Sequence, residues 1–380
     1  MDVREITGLA VKAVDNPLPG VEHPAPHQRY QSPRLEIVRR PCPEIKPGFV
    51  LLEILTAGIC GTDVHLLQTD KKTSYVKCSA PASIPPEGRI LGHECVGRVV
   101  RVGAGTIGLK TGDVVSCESV ISCGVCIPCR EGYFNQCSRA ELMGLQTDGV
   151  FATHAVLPQR ICHPIGDLAG KPHGLLQAAC LEPAAVAHVA LEHAPMENGD
   201  RVLVFGAGPI GLFLSLLARN IFGGSHVDQV EPLELRRNLA RSWADGVFTP
   251  EEFWRAVPAM KHSYDLVLEA SGDLGNVTRI IRYCGCRARV VLLARSGASL
   301  SIADVDAIIT NAISLIGSRG HLGGAFAKLI KLCSAGRLPL HEVVTTELHG
   351  LPALKELLLR PDLLAVEHSK VMVHLAEKPV

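Results

Sequence analysis

The chain is 380 residues long, 47% hydrophobic and 20% charged, proportions that exclude a fibre or a disordered polymer and suit two domains with separate cores. Lys+Arg and Asp+Glu both number 38, so there is no basic footprint for nucleic acid. The charged start Met1-Asp2-Val3-Arg4-Glu5 lacks the apolar core of a secretory signal and no run approaches the roughly eighteen apolar residues of a membrane span, so a cytoplasmic protein with no membrane partner is expected.

Residues 1–44 are rich in proline and histidine (Pro17, Pro19, His23, Pro24, Pro26, His27, Pro33), which predicts an extended, irregular lead-in. The apolar run 49–55 predicts a buried strand that delivers the chain to a turn, Gly58-Ile59-Cys60-Gly61-Thr62-Asp63-Val64-His65. Within those eight residues stand a thiol for a metal (Cys60), a hydroxyl that can pass a proton (Thr62), a carboxylate that can orient a ligand (Asp63) and an outward imidazole (His65). A polar, proline-bearing loop over 68–88 precedes Ile90-Leu91-Gly92-His93-Glu94 and a strand pattern over 96–102. Glycines at 103, 105, 108 and 112 punctuate turns before a strand at 114–116, and short strands at this spacing predict a small β-barrel-like domain.

The pattern changes near residue 185. An apolar strand at 201–205 runs into glycines and a helix at 210–218; strands at 226–230, 266–269 and 289–293 alternate with helical segments such as 233–243, which predicts a parallel sheet with crossover helices. Beyond 317 come a helix at 325–335, a strand at 342–345, a helix at 352–359 and a last strand at 370–374. The expected class is α/β, with a nucleotide-binding domain, 185–318, inserted between two parts of another domain, 1–184 and 319–380.

Glycines in Gly206-Ala207-Gly208-Pro209-Ile210-Gly211 follow a predicted strand and open a predicted helix, the setting in which G-x-G-x-x-G lets backbone N–H groups approach a pyrophosphate at a helix N-terminus. Glu231 ends the next strand, where a carboxylate accepts hydrogen bonds from the adenosine ribose and repels a 2′-phosphate. NAD is therefore preferred to NADP; Arg236 and Arg237, close behind, are placed to meet a phosphate. Lys370 is a further candidate for a pyrophosphate contact.

Fourteen cysteines in a chain this large do not suggest a disulfide scaffold. Cys123, Cys126, Cys129 and Cys137, inside a lobe over 117–140, supply four soft ligands from one loop and close a tetrahedron around a structural zinc with no open position. A catalytic zinc needs fewer protein ligands and room for substrate, which Cys60, His93 and Glu182 would provide, with Glu94 beside His93. The remaining nine of the other ten cysteines, Cys60 excepted, are read as small buried apolar residues.

Taken together, the 58–65 turn, Gly92-His93-Glu94, the glycine-punctuated 102–115 segment, the four-cysteine lobe, Leu181-Glu182-Pro183 and 206–211 resemble the zinc-dependent medium-chain alcohol dehydrogenases, over most of residues 45 to 375 and in that family's order. Glu182-Pro183 is similar to the polyol, glucose and threonine dehydrogenase branch. The resemblance implies a GroES-like β-barrel catalytic domain plus a Rossmann domain, in homodimers or homotetramers, with two zinc ions per subunit. It implies that Cys60, His93 and either Glu94 or Glu182 hold the catalytic zinc, directly or through water, that Thr62 is a hydroxyl relay and that His65 is the imidazole at its exit. Asp148-Gly149-Val150-Phe151-Ala152-Thr153-His154 departs from the branch's usual Gly-Gly-Phe-Ala-Glu-Tyr, and both the lead-in and the 68–88 loop are longer than usual.

The function expected is reversible hydride transfer from a secondary alcohol of a polyol, sugar, cyclitol or aminocyclitol to NAD, giving a ketone. The alternatives are a simple alcohol or threonine-like amino-alcohol dehydrogenase and, from another class, a catalytically inactive NAD-binding scaffold. Small-molecule alcohols are the expected partners.

Overall fold

Strand Phe49–Gly58, an almost unbroken apolar run, is buried along nearly its whole length, as a strand covered on both faces must be. The computed structural model describes residues 3–260, 264–322 and 324–376. It divides into two units: the first comprises the chain up to Glu182, Leu322–Ser334 and the chain from Pro339 onward, and the second Pro183–His321 with Ala335–Leu338.

In the first unit, Phe49–Gly58 lies inside a seven-stranded sheet ordered Cys162–Pro164, Val114–Cys117, Glu94–Val102, Phe49–Gly58, Lys370–His374, Val344–His349, with His154–Pro158 also paired to Phe49–Gly58. Register brings Gly58 opposite Glu94 on one side and opposite Met372 on the other. Leu52, Ile54, Val99, Phe151 and Val373 form the middle of its core. The irregular lead-in expected for 1–44 is replaced by a hairpin: Glu5–Asp15 and Tyr30–Pro41 pair antiparallel, from Glu5 opposite Pro41 to Asp15 opposite Tyr30. Pro17, Pro19, Pro24 and Pro26 all fall between the two strands, while Pro33 and Pro41 sit on the edge strand of a three-stranded sheet, where a missing N–H is tolerated. The expected turn at 58–65 contains one turn of helix, Gly61–His65, with Cys60 extended at its N-cap.

The second unit is a six-stranded sheet ordered Gly246–Phe248, His226–Val230, Arg201–Phe205, Tyr264–Glu269, Cys284–Leu292, Ser314–Gly317. Every adjacent pair is parallel. Helices such as Pro209–Asn220, Glu234–Ala240 and Leu274–Ile280 connect the strands, the doubly wound arrangement. Phe205, Phe253, Tyr264, Val267 and Val290 belong to one core cluster on this sheet. Pro209 at the first helical position and Gly208 at the N-cap start the helix of the glycine turn cleanly, since the proline's missing N–H has no intrahelical partner to lose. No helix among the described residues is long and apolar enough to cross a membrane.

Candidate metal centre and cofactor loop

Two turns of the first unit are tied together by one buried carboxylate. Asp63 is fully buried; its Oδ2 accepts the Cys60 N–H at 3.0 Å and its Oδ1 accepts the Gly92 N–H at 3.3 Å. Oδ1 also stands 3.7 Å from His93 Nδ1, a buried nitrogen with no hydrogen-bond partner among the described residues. With the turns joined in this way, one ligand atom from each of Cys60, His93 and Glu94 falls within 4.8 Å of the others. Burial opposes a charge on His93, but Asp63, Cys60 and Glu182 outweigh it and hold its pKa well above the ordinary imidazole range. A sulfur, a nitrogen and an oxygen thus converge beside buried carboxylates, the donor types a zinc site uses.

Glu182, in the first turn of helix Leu181–His193, is buried, and its Oε1 accepts the Ser119 hydroxyl at 2.6 Å. It is not one of the three groups within 4.8 Å, yet its charge raises the pKa of both His93 and Glu94. Glu94 forms a short ion pair with Lys370, whose Nζ also donates to the Ile59 carbonyl at 2.9 Å. Burial raises the Glu94 pKa against the pull of Lys370. For Lys370 burial works the other way, but Glu94, Cys60 and Cys180 outweigh it and raise its pKa. This corrects the pyrophosphate role expected of Lys370: its ammonium is 1% exposed and neutralises the carboxylate beside His93. The signal in the sequence was a lysine heading the apolar strand Lys370–His374, a position that demands a buried counter-charge. Ser119 was missed because a serine between two short strands carries no pattern of its own.

Thr62 and His65 lie three residues apart on the short helix, hence on neighbouring positions of one face. Thr62 Oγ1 is 3.7 Å from Cys60 Sγ. His65, at the helix end, keeps access to solvent; desolvation of its ring and then the Lys77 charge lower its pKa. The Lys77 N–H donates to the His65 carbonyl at 3.1 Å, so the 68–88 loop is anchored on this helix.

Cys123, Cys126, Cys129 and Cys137 form a second convergent group, again within 4.8 Å. Cys126 Sγ is 3.4 Å from Cys129 Sγ and 3.7 Å from Cys137 Sγ. Those separations match the edge of about 3.8 Å expected for a tetrahedron with Zn–S bonds of about 2.3 Å. Backbone N–H groups point at the sulfurs: Cys126 N–H at Cys123 and both Cys123 and Arg139 N–H at Cys137. Such donors, led by the Val125 N–H, lower the Cys123 pKa to about 5, while desolvation and then Cys126 push Cys129 up to about 11. The backbone donors thus favour thiolate, the form that binds metal, at Cys123 and Cys126, while burial opposes it at Cys129. All fourteen cysteines are free thiols.

In the second unit, Gly206, Gly208, Pro209, Ile210 and Gly211 form the strand-to-helix turn. A Cβ on Gly211 would overlap the Gly206 carbonyl oxygen, which accepts from Gln229 Nε2 at 2.9 Å, so helix and strand meet as closely as the fingerprint demands. Glu231 Oε2 accepts the Ala207 N–H at 2.7 Å and Oε1 the Leu233 N–H at 2.9 Å. The Arg236 guanidinium stands over the turn, its Nη1 3.8 Å from where a Gly208 Cβ would be. Its Nε is buried without a hydrogen-bond partner among the described residues, and burial lowers its pKa. Arg237 is engaged elsewhere, donating to the Glu231 carbonyl at 3.0 Å.

Residues 46–167 match the alcohol dehydrogenase GroES-like domain. The chain is 33% identical over 330 residues to scyllo-inosose 3-dehydrogenase of Thermotoga maritima, covering 81% of this chain and 82% of that protein. It is 32% identical over 328 residues to L-threonine 3-dehydrogenase of Pyrococcus abyssi, covering 84% and 90% respectively. A solved Thermotoga maritima structure assigned as an alcohol dehydrogenase superposes with a TM-score of 0.88 at 27% identity, over 97% of this chain and all of that one.

Proposed function

The chain belongs to the zinc-dependent medium-chain alcohol dehydrogenases, in the polyol and threonine branch, and is an enzyme acting on CH–OH groups; from that premise we propose that it oxidises a secondary alcohol of a polyol, sugar, cyclitol or aminocyclitol reversibly to the ketone, with NAD as acceptor. The observation that carries this reading is the convergence of Cys60, His93 and Glu94, one ligand atom from each within 4.8 Å of the others. Zinc bound there supplies the charge that makes an alcohol hydroxyl acidic near neutral pH, and NAD supplies the hydride acceptor.

The chain's own residues do the rest. Cys60 and His93 are ligands, with Glu94 or Glu182 as the third, directly or through water. Glu94 is the nearer of the two to the other ligands but is held by Lys370; Glu182 is held by Ser119. Asp63 orients the Cys60 turn and, through the Gly92 N–H, the backbone that carries His93, an outer-carboxylate role behind the ligands. Thr62 Oγ1 accepts the substrate's hydroxyl proton, and His65, kept neutral by its lowered pKa, passes it to solvent. The four-cysteine lobe holds a second, structural zinc and does no chemistry.

At 206–211 the cofactor's pyrophosphate meets the helix N-terminus, and the Glu231 carboxylate, which retains further lone pairs, receives the adenosine ribose and disfavours NADP. Arg236 works against that preference from across the turn. Free thiols throughout support a reducing, cytoplasmic setting, and the same reading takes the enzyme as a homodimer or homotetramer. A second substrate reading, threonine or a related amino alcohol, is favoured by the likeness to L-threonine 3-dehydrogenase. The test is absorbance of NADH, and in parallel NADPH, on mixing the zinc-loaded protein with a panel of polyols, inositols, inososes, sugars and threonine. NADH formation with a cyclic or open polyol and not with threonine supports the reading. Turnover of threonine alone selects the second one, and a C60S variant working at the wild-type rate sinks the zinc mechanism in both.

A further inference from the structure

A second buried carboxylate shapes the end of the parallel sheet that carries the glycine turn. Glu269 closes the strand Tyr264–Glu269, pairs in register with Phe205 and is fully buried. Its Oε1 accepts the Ser271 N–H at 2.9 Å, and the Gly272 N–H reaches both carboxylate oxygens at 3.1 Å. The Ser271 hydroxyl adds a short hydrogen bond to Oε1. With every one of these donors taken from residues 271–272, the carboxylate fixes the loop that follows its own strand.

That loop is packed on the glycine turn. The Ala270 N–H donates to the Phe205 carbonyl at 3.0 Å, and a Cβ added to Gly206 would stand 3.0 Å from both Cα and N of Ser271. The sheet order puts His226–Val230 on one side of Arg201–Phe205 and Tyr264–Glu269 on the other, so the topological switch point lies between the last two. A dinucleotide lies across such a crevice, one half on each side. Glu231 belongs to the His226–Val230 side, where the adenosine half is read; Glu269 belongs to the opposite side.

The geometry points to Glu269 as a positioning residue for the half of the dinucleotide remote from adenosine: by holding Ala270-Ser271-Gly272 against Gly206 it sets the backbone surface on which that half rests. The inference depends on 206–211 being the dinucleotide site, as proposed above. Replacing Glu269 by leucine keeps much of the buried volume but removes both acceptor oxygens, so the N–H groups of 271–272 lose the carboxylate that receives them. The loop loses its anchor, while Glu231 and the adenosine side are untouched.

The test is calorimetric titration of zinc-loaded wild type, E269L and S271A with NADH, with NADPH and with AMP, which carries the adenosine half alone. E269L is expected to raise the Kd for NADH tenfold or more and that for AMP less than twofold, with thermal denaturation showing the variant folded. S271A, which keeps the Ser271 N–H and loses only the hydroxyl bond, is expected to shift the NADH to AMP affinity ratio in the same direction by less. An unchanged NADH Kd in folded E269L, or NADH and AMP weakened alike, overturns the role assigned to Glu269. Should E269L not fold, an unchanged ratio in S271A overturns it. If wild type binds none of the three ligands, the dinucleotide reading itself fails and this inference with it; wild type binding NADH normally while the variants match it sinks this inference alone.

Discussion

Replacing Lys370 by methionine isolates the electrostatics behind the metal centre. Lys370 and Glu94 are each 1% exposed, so neither charge has water to turn to when the other is removed. Breaking a buried pair from one side costs about 3–5 kcal/mol, because the survivor is left uncompensated. For a domain of this size that is a fall in Tm of roughly 6–20 °C, at about 2–4 °C per kcal/mol. Glu94 has one escape, protonation: burial already raises its pKa, and loss of Lys370, which opposes that rise, raises it further. An acid whose folded pKa lies above its unfolded one contributes stability that is fully present below the unfolded value, near 4.5, and lost as pH rises through the folded value. The gap between K370M and wild type should therefore be small near pH 4.5 and widen towards pH 8. Adding E94Q to K370M removes the orphaned charge and should recover most of the loss. Thermal and urea denaturation of chelator-treated protein, so that metal affinity does not enter, measure all of this. A K370M protein within about 1 kcal/mol of wild type at pH 8, or a double variant no more stable than K370M, would refute the buried ion pair as the source of the effect.

Three other outcomes follow from the same geometry. A Cβ at Gly58 would overlap Glu94 Oε2 and stand 3.1 Å from Lys370 Cε, so G58A should lose about 1–3 kcal/mol by overpacking, read by urea denaturation. C126S should cost one zinc per chain by elemental analysis while the zinc at Cys60 is retained; loss of both, or of neither, would contradict two independent sites. Burial and then Lys77 hold the His65 pKa below 6.5, so the neutral imidazole that the proposed relay uses persists below that pH. K77Q should move the acid limb of the kcat profile upward, still short of 6.5 because burial, the larger cause, remains.

Where one periodicity dominates, the chain was legible. The apolar strand Arg201–Phe205, the glycine turn after it and the last strand Lys370–His374 announce themselves by composition and short-range order. The N-terminal hairpin did not, because the prolines that argue against strands cluster in its connection and on its edge strand, where sheet physics tolerates them. Of the metal-centre residues, Cys60, His93 and Glu94 carry local motifs, and the structure brings them together. The partners that hold them do not: Lys370 meets Glu94 across 276 residues and Ser119 meets Glu182 across 63, separations over which no pattern in the chain marks the pairing. Asp63 is intermediate, since it stands in the motif but its bond to the Gly92 N–H needs the fold.

The distance along the chain between Glu94 and Lys370 also has a bearing on biosynthesis. A ribosome releases Glu94 long before Lys370, and the whole span Pro183–His321, a self-contained parallel sheet, emerges in between. The second unit's sheet can mature on the nascent polypeptide, whereas the first unit must wait with a carboxylate that has no counter-ion until Lys370 emerges. Incomplete products that stop short of the strand Lys370–His374 would carry that unmatched charge in an otherwise apolar interior, a natural mark for chaperones and proteases to act upon.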